Sequence, residues 1–266
     1  KTLFCTLFSL IIFSLHHLQG QTTITLQPDS TAGKDAIIRS AAPTFNNGTY
    51  ESNTAYSWLI GGSLATKRAL IEFDLSSIPS SATITSAYLS LYYNPTDWVE
   101  GFDYHTGTND LLIQRLTSAW DEHTVTWNTQ PTASATNQVS LPPSTTGDQN
   151  YTDIDVTGLV SDMHNPANGN FGFLIRMLDE ATYDKGVIFA SSDHASAALR
   201  PKLVVTYTDS TIQDSIYRTL FKPDYEAGKD AIVRSAAPNF NNGVAESNTA
   251  YTWNISGNLA IKRALI

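Results

Sequence analysis

The side chains in this sequence that could do chemistry are few and scattered. Asp121, Glu122 and His123 stand together in DEHTVTWN (Asp121 to Asn128), and Asp193 and His194 in SSDHAS. A catalytic or metal centre needs its groups to converge on one atom. Three consecutive residues entering a strand point alternately to opposite faces and cannot do so. The expectation is that Asp121 to His123 close a turn after Trp120 while Val125 and Trp127 fill the core, with Asp193 and His194 equally structural. There is no GxSxG elbow, no HExxH, no phosphate-cradling GxxxxGK[ST], and no closely spaced His or Cys set with metal-ligand spacing. Nothing marks two of the 25 acidic residues as a glycosidase pair, which would flank a groove at roughly 5 to 10 Å. No catalytic residue is predicted, the chain is not read as an enzyme, and no cofactor is expected. A structural calcium ion has its best place at Asp153 and Asp155, with carbonyl oxygens from Asn165 to Asn170, although the EF-hand loop pattern is missing.

Residues suited to binding are more abundant. Sugar recognition needs aromatic faces for the pyranose C–H surface and polar or charged groups for hydroxyls and carboxylates. The loop-rich N-terminal part supplies Lys34, Arg39, Tyr56, Trp58 and Lys67, with Asn46, Asn47 and Asn53 beside them. A second set, Tyr92, Trp98 and Tyr104, lies with Phe102 in the Gly- and Pro-punctuated segment YYNPTDWVEGFDYHTG (Tyr92 to Gly107). These eight basic and aromatic residues are the candidate ligand-binding set. The competing reading is that Trp98 and Phe102 tuck the loop onto the domain, and that Trp120 and Trp127 are core. Arg68 shares the polar side of RALIEFDL with Glu72 and Asp74, so a cross-strand ion pair is expected of it. Lys34, Arg39 and Lys67 make a patch for an anionic ligand only if the fold brings them together.

The elements that would position these residues are strands. SAYLSLYY (Ser86 to Tyr93) places Ala87, Leu89 and Leu91 on one face. RALIEFDL, HTVTWN, NFGFLIRML, KGVIFAS and PKLVVTY read the same way, separated by turn clusters such as PTFNNGT and NPANGN. The best helical stretch is DVTGLVSDMHN, Asp155 to Asn165, long enough for one cap over a sandwich. About ten short strands in one domain imply an all-β fold: two stacked antiparallel sheets in a jelly-roll-like β-sandwich.

Residues Gly33 to Ile71 recur at Gly228 to Ile266, an ungapped offset of 195, with 30 of 39 positions identical. A period this long exceeds the 20 to 50 residues of solenoids and marks tandem domains. Residues 22–208 form one complete unit, 209–215 a linker, and 216–266 the N-terminal part of a truncated second copy. Residues 1–20, with Lys1 ahead of the apolar run Leu3 to Leu15 and Gly20 at the end, read as a secretory signal peptide. That run is too short for a bilayer core of roughly 30 Å. Cys5, the only cysteine, lies within it, so the mature chain has no disulfide. A formal net charge of −9 without any basic run excludes nucleic acid and anionic membrane as natural partners. The location expected is secreted or extracellular, cell-surface attachment included, without membrane insertion.

Three blocks in order resemble the DNRLRE, or disaggregatase-related, repeat, which overlaps carbohydrate-binding module family ninety-six. They are RALIEFDLSSIPSSATITSAYLSLYY (Arg68 to Tyr93), QRLTSAWDEHTVTWNTQP (Gln114 to Pro131), and the run from YTDIDVTGLV through NFGFLIRM to RPKLVVTY, ending at Tyr207. The resemblance implies a secreted β-sandwich attached to polysaccharide lyases, hydrolases and surface proteins, some members binding acidic polysaccharide. It supplies no residue-level binding motif. The expected function is a non-catalytic carbohydrate-binding or adhesion module in a tandem array, with a polysaccharide or surface glycan as partner. The alternatives are a structural spacer repeat and an accessory module of a polysaccharide-degrading enzyme whose catalytic domain lies elsewhere.

Overall fold

The computed structural model describes residues 21–95 and 104–209, and the backbone of 231–234, 251–255 and 258–265. The expected signal peptide, Trp98, Phe102 and residues 210–215 of the expected linker lie outside the described residues. Two units divide the chain at Ser210 and Thr211.

In the first unit, period-two alternation becomes burial. Strand β5 (Thr83–Leu91) buries Ala87, Leu89 and Leu91 completely, while Tyr88 between them remains 39% exposed. β5 belongs to a four-stranded antiparallel sheet with β1 (Gln21–Leu26), β11 (Lys202–Thr208) and β8 (Tyr151–Asp155), in the order β1-β11-β5-β8. The other sheet has seven strands. Its path runs β10 (Lys185–Ala190), β3 (Ser52–Ile60), β4 (Ser63–Glu72), β9 (Phe173–Met177), β6 (Leu111–Leu116), β7 (Ala133–Leu141), and β2 (Lys34–Arg39) pairs with β4 as well. The antiparallel sandwich expected from the sequence is the observed architecture.

Leu89, Leu91, Leu203 and Val205 of the small sheet pack in one cluster with Ile71, Ile113, Ile175 and Phe173 of the large one and with Phe73 just past β4. Each fully buried side chain of this kind contributes about 1.5–3 kcal/mol. The expected helix is α1 (Thr157–His164), which adds Leu159, Val160 and Met163 to the same cluster. Asp155 starts it, its Oδ1 accepting from Thr157 N at 3.0 Å and from Thr157 Oγ1 at 2.6 Å.

A second, smaller cluster joins Ala36, Ile38, Leu70, Leu116 and Leu174 of the large sheet to Trp120 and Val125 from the segment after β6. Here one expectation is corrected: HTVTWN is not a strand. Asp121 Oδ1 accepts from His123 N at 3.1 Å, and Asp121 O accepts from Val125 N at 2.9 Å, so the backbone turns on itself. Thr126 and Thr129 then close a short 3₁₀ turn, Trp127–Thr129. Short polar side chains that bond their own backbone outcompete strand pairing. Trp120 and Val125 are buried as expected, but Trp127 is only half-buried.

In the second unit, β12 (Ala231–Arg234) and β13 (Tyr251–Ile255) both pair with β14 (Asn258–Leu265). The pairs Ala231↔Leu265 and Tyr251↔Lys262 repeat Ala36↔Leu70 and Tyr56↔Lys67 at the offset of 195 residues.

Gly172, just before β9, ties its approach to both neighbouring strands. Its φ is +82°, and a Cβ there would lie 2.2 Å from Ile71 O. Gly61 in the β3–β4 turn has φ +57° with nothing within 4 Å. Gly61→Ala should therefore cost about 1–2 kcal/mol from backbone conformation alone, and Gly172→Ala roughly 3 kcal/mol or more once overpacking is added. Urea midpoints followed by tryptophan fluorescence check this; equal losses in the two variants would mean the close approach at Gly172 is not tight.

Candidate glycan-binding surface

Of the eight candidate residues, Trp98 lies outside the described residues, and the other seven separate into three places. Arg39, Tyr56, Trp58 and Lys67 come together, because β4 pairs Lys67 with Arg39 of β2 and with Tyr56 of β3. Lys67 Nζ lies 5.3 Å from the Trp58 ring centroid, Tyr56 and Trp58 meet at 5.9 Å, and Arg39 lies over Phe45 at 5.2 Å. Arg39, Ala41, Ala42, Trp58 and Ile60 line a pocket of about 350 Å³. Tyr56 and Lys67 are only 1% and 2% exposed, so neither offers a face to a polymer. The Tyr56 hydroxyl is pushed well above its ordinary range by burial.

Lys34 does not join that group. It sits at the far end of β2, its Nζ 2.7 Å from Glu72 Oε2 and 4.6 Å from the Trp120 ring centroid. The three basic candidates thus form no single patch; strand register puts Arg39 beside Lys67 and leaves Lys34 five residues away. Arg68 is ion-paired as expected, but with a different partner. Its Nε and Nη2 donate to Glu180 at 2.8 and 2.6 Å, and Nη1 donates to Gln130 Oε1 at 2.8 Å, over the Trp127 ring. Glu72 is taken by Lys34, and Asp74 accepts from Ser76 N and Oγ, which holds its carboxyl below the usual range.

The third place carries Tyr92 and Tyr104. Tyr92 is half-buried with Lys202 Nζ 6.0 Å from its ring centroid. Tyr104 is 61% exposed and its ring lies parallel to that of Tyr93, 6.4 Å away with an interplanar angle of 7°. Beneath them, Tyr93 meets His105 edge to face at 5.6 Å, and His105 meets Phe189 at 5.3 Å and Tyr151 at 6.2 Å. Tyr151 is pushed up to about 12, chiefly by burial.

Backbone bonds hold this stack to the sandwich. Tyr93 N donates to Asn150 Oδ1 at 2.8 Å, His105 N to Gly147 O at 2.8 Å, and Thr106 and Gly186 exchange two bonds of 2.9 Å. His105 Nδ1 accepts from Ile188 N at 3.0 Å, which leaves Nε2 to donate to Gln149 O at 2.8 Å. The ring is therefore neutral with its proton on Nε2. The result is an exposed aromatic ledge on a fixed base.

Glu122 and Asp193, expected to be structural, meet where no sequence spacing predicts it. One carboxylate oxygen from each and one from Asp35 lie within 4.8 Å of one another. Asp35 N donates to Glu122 Oε1 at 2.9 Å, and Asp35 Oδ2 accepts from Ser192 N at 2.8 Å. Burial, helped by the neighbouring charges of Asp193 and Glu122, pushes Asp35 up to about 7 against the bonds from Ser192. Burial also raises Glu122 and Asp193. Asp121 to His123 lie in a turn rather than at the entry of a strand, and of the three only Glu122 turns inward; His123 keeps 69% of its side chain exposed. Asp153 and Asp155 form no such group with a third acid among the described residues. Asp155 is spent on Thr157, and Asn165 and Asn170 bond to Ala167 N and Phe73 O.

A groove of about 840 Å³ includes Lys34, Glu72, Asp74, Met163, His164 and Asn170. Its two carboxylates are already bonded, Glu72 to Lys34 and Asp74 to Ser76.

A family model described as carbohydrate-binding module family 96 matches residues 27–207, more than half of the chain. No curated protein matches.

Burial holds His105 below its ordinary value, against the opposing pull of its bond to Gln149. The unfolded chain takes up that proton near pH 6.5, whereas the folded chain resists, so this stabilisation is complete above pH 6.5 and lost as pH falls through the lowered folded value. Relief of Asp35 acts oppositely in the same range, so the test is a difference. Thermal melts from pH 7.5 to 5 should fall more steeply for the parent than for His105→Gln; parallel curves would remove His105 from the account.

Proposed function

Because the chain belongs to carbohydrate-binding module family 96, a family of non-catalytic binding modules, we propose that residues 22–208 bind a polysaccharide through the Tyr104 ledge. The observation that carries this reading is a ring 61% exposed, yet stacked on Tyr93 above buried His105, Tyr151 and Phe189. A rigid ring offers its face to pyranose C–H groups without first losing rotamer freedom, so little of the contact energy goes to ordering it. Tyr92, which precedes Tyr93 in the chain, has Lys202 Nζ 6.0 Å from its ring centroid. We further propose the finer DNRLRE-type assignment, secretion under the leader at residues 1–20, and an adhesive role at the cell exterior. No helix among the described residues is long and apolar enough to cross a membrane.

The repeat supports an array. Residues 216–266 are read as the start of a second copy after a linker at 209–215, on the strength of 30 identities in 39 positions and the repeated strand register. Linked copies raise avidity without new contacts.

A second reading rests on the pocket at Arg39 and Trp58, where a guanidinium and an indole ring line one cavity, suited to a uronate carboxylate. Affinity electrophoresis of the chain in neutral and uronate-rich polysaccharide separates the two. Tyr104→Ala should weaken binding about tenfold while Tyr104→Phe retains it. Loss in Trp58→Ala with Tyr104→Ala unchanged would move the site to the pocket, and a folded parent silent on every polysaccharide would overturn the binding reading.

A further inference from the structure

We infer that Asp35, Glu122 and Asp193 form a binding site for a single divalent cation of the calcium type. The three acids come from β2, from the turn after Trp120 and from the segment after β10, 158 residues apart at the extremes, yet an oxygen of each lies within 4.8 Å of the others. That distance is the diameter of a shell whose ligands stand at about 2.4 Å, as carboxylates do around calcium. All the donors are hard oxygens, which disfavours zinc and copper.

The surroundings carry the inference beyond a cluster of acids. Ser192 is 2% exposed, and its Oγ stands beside the Asp35 carboxylate without making a hydrogen bond of good geometry. Asp193 Oδ2 is likewise covered and has no donor. Each such oxygen costs about 1–3 kcal/mol if nothing compensates it.

No lysine or arginine among the described residues is bonded to the group of Asp35, Glu122 and Asp193; Lys34 is paired with Glu72 and Lys185 with Asp179. Arg200 acts on Asp193 only through space, and His123, whose Nε2 is 3.9 Å from Glu122 Oε2, faces solvent. Three carboxylates at this spacing repel one another unless protons or a cation intervene. A calcium ion would join all three and give the orphaned oxygens a partner. It would tie the Trp120 turn and the Ser191–His194 segment to β2.

The test is a chelator-stripped preparation of the 266-residue chain, melted at pH 7.5 with calcium, with magnesium, or with EDTA, alongside calorimetric titration of calcium alone. Extracellular modules bind calcium at about 0.1–1 mM, so about 10 mM should raise the melting temperature of the parent by about 5 °C. Asp193→Asn and Glu122→Gln should lose that rise. In EDTA they should melt no lower than the parent, because each removes one repelling charge, and this keeps the test valid where Asp35→Asn fails to fold. Asp153→Asn should retain the full rise. A parent indifferent to calcium, an undiminished rise in Asp193→Asn, or a loss confined to Asp153→Asn would each overturn the assignment.

Discussion

The larger unit depends on an apolar seam between two sheets of unequal width. With cysteine found only at position 5, no disulfide can hold residues 21–209 together, and packing must do so alone. The seam is laid down by side chains that alternate with polar ones, Leu89 and Leu91 on one side and Ile71, Ile113 and Ile175 on the other. A one-residue slip in any of these strands would turn the set to solvent, so register is strongly fixed wherever the seam runs. That same register decides which candidate binding residues can meet.

Unequal width creates a second requirement. The four-stranded sheet covers only one face of the seven-stranded sheet, and the opposite face carries Ala36, Ile38, Leu70 and Leu174. These need a lid, and the segment with Trp120 and Val125 provides it. Trp120 is fixed by its Nε1 donating to Phe171 O at 2.9 Å, with Lys34 over its ring. Once that lid is seated, Glu122 has nowhere to point but toward Asp35. The acidic group is thus a consequence of how the outer face is covered.

Much of the fold was legible in the sequence because the seam is written in period two: the strands at RALIEFDL, SAYLSLYY, KGVIFAS and PKLVVTY, and the helix begun by Asp155, all follow from local pattern. HTVTWN misled because its alternation is real but Asp121, Thr126 and Thr129 offer the backbone local bonds that a pattern count does not weigh. The ledge was half legible: Tyr104 was singled out for its aromatic loop, but the tier of His105, Tyr151 and Phe189 beneath it comes from three distant segments. The signal for Asp35 was present, the only acid in the strand KDAIIR. Its partners, 87 and 158 residues further on, were not deducible from spacing.

The first and last strands of the sandwich lie side by side, with Gln21 opposite Thr208 and Leu26 opposite Leu203. The polypeptide therefore enters and leaves at adjoining points on one edge of the small sheet. Tension applied through those two points would load the β1–β11 hydrogen bonds one pair at a time, from the Gln21 end, rather than all at once along the strand. Such a peel begins at low force, and among the described residues β1 has no neighbour on its other side to delay it. In a chain that is pulled, this edge strand would yield first, letting out slack while the seam between the sheets stays shut.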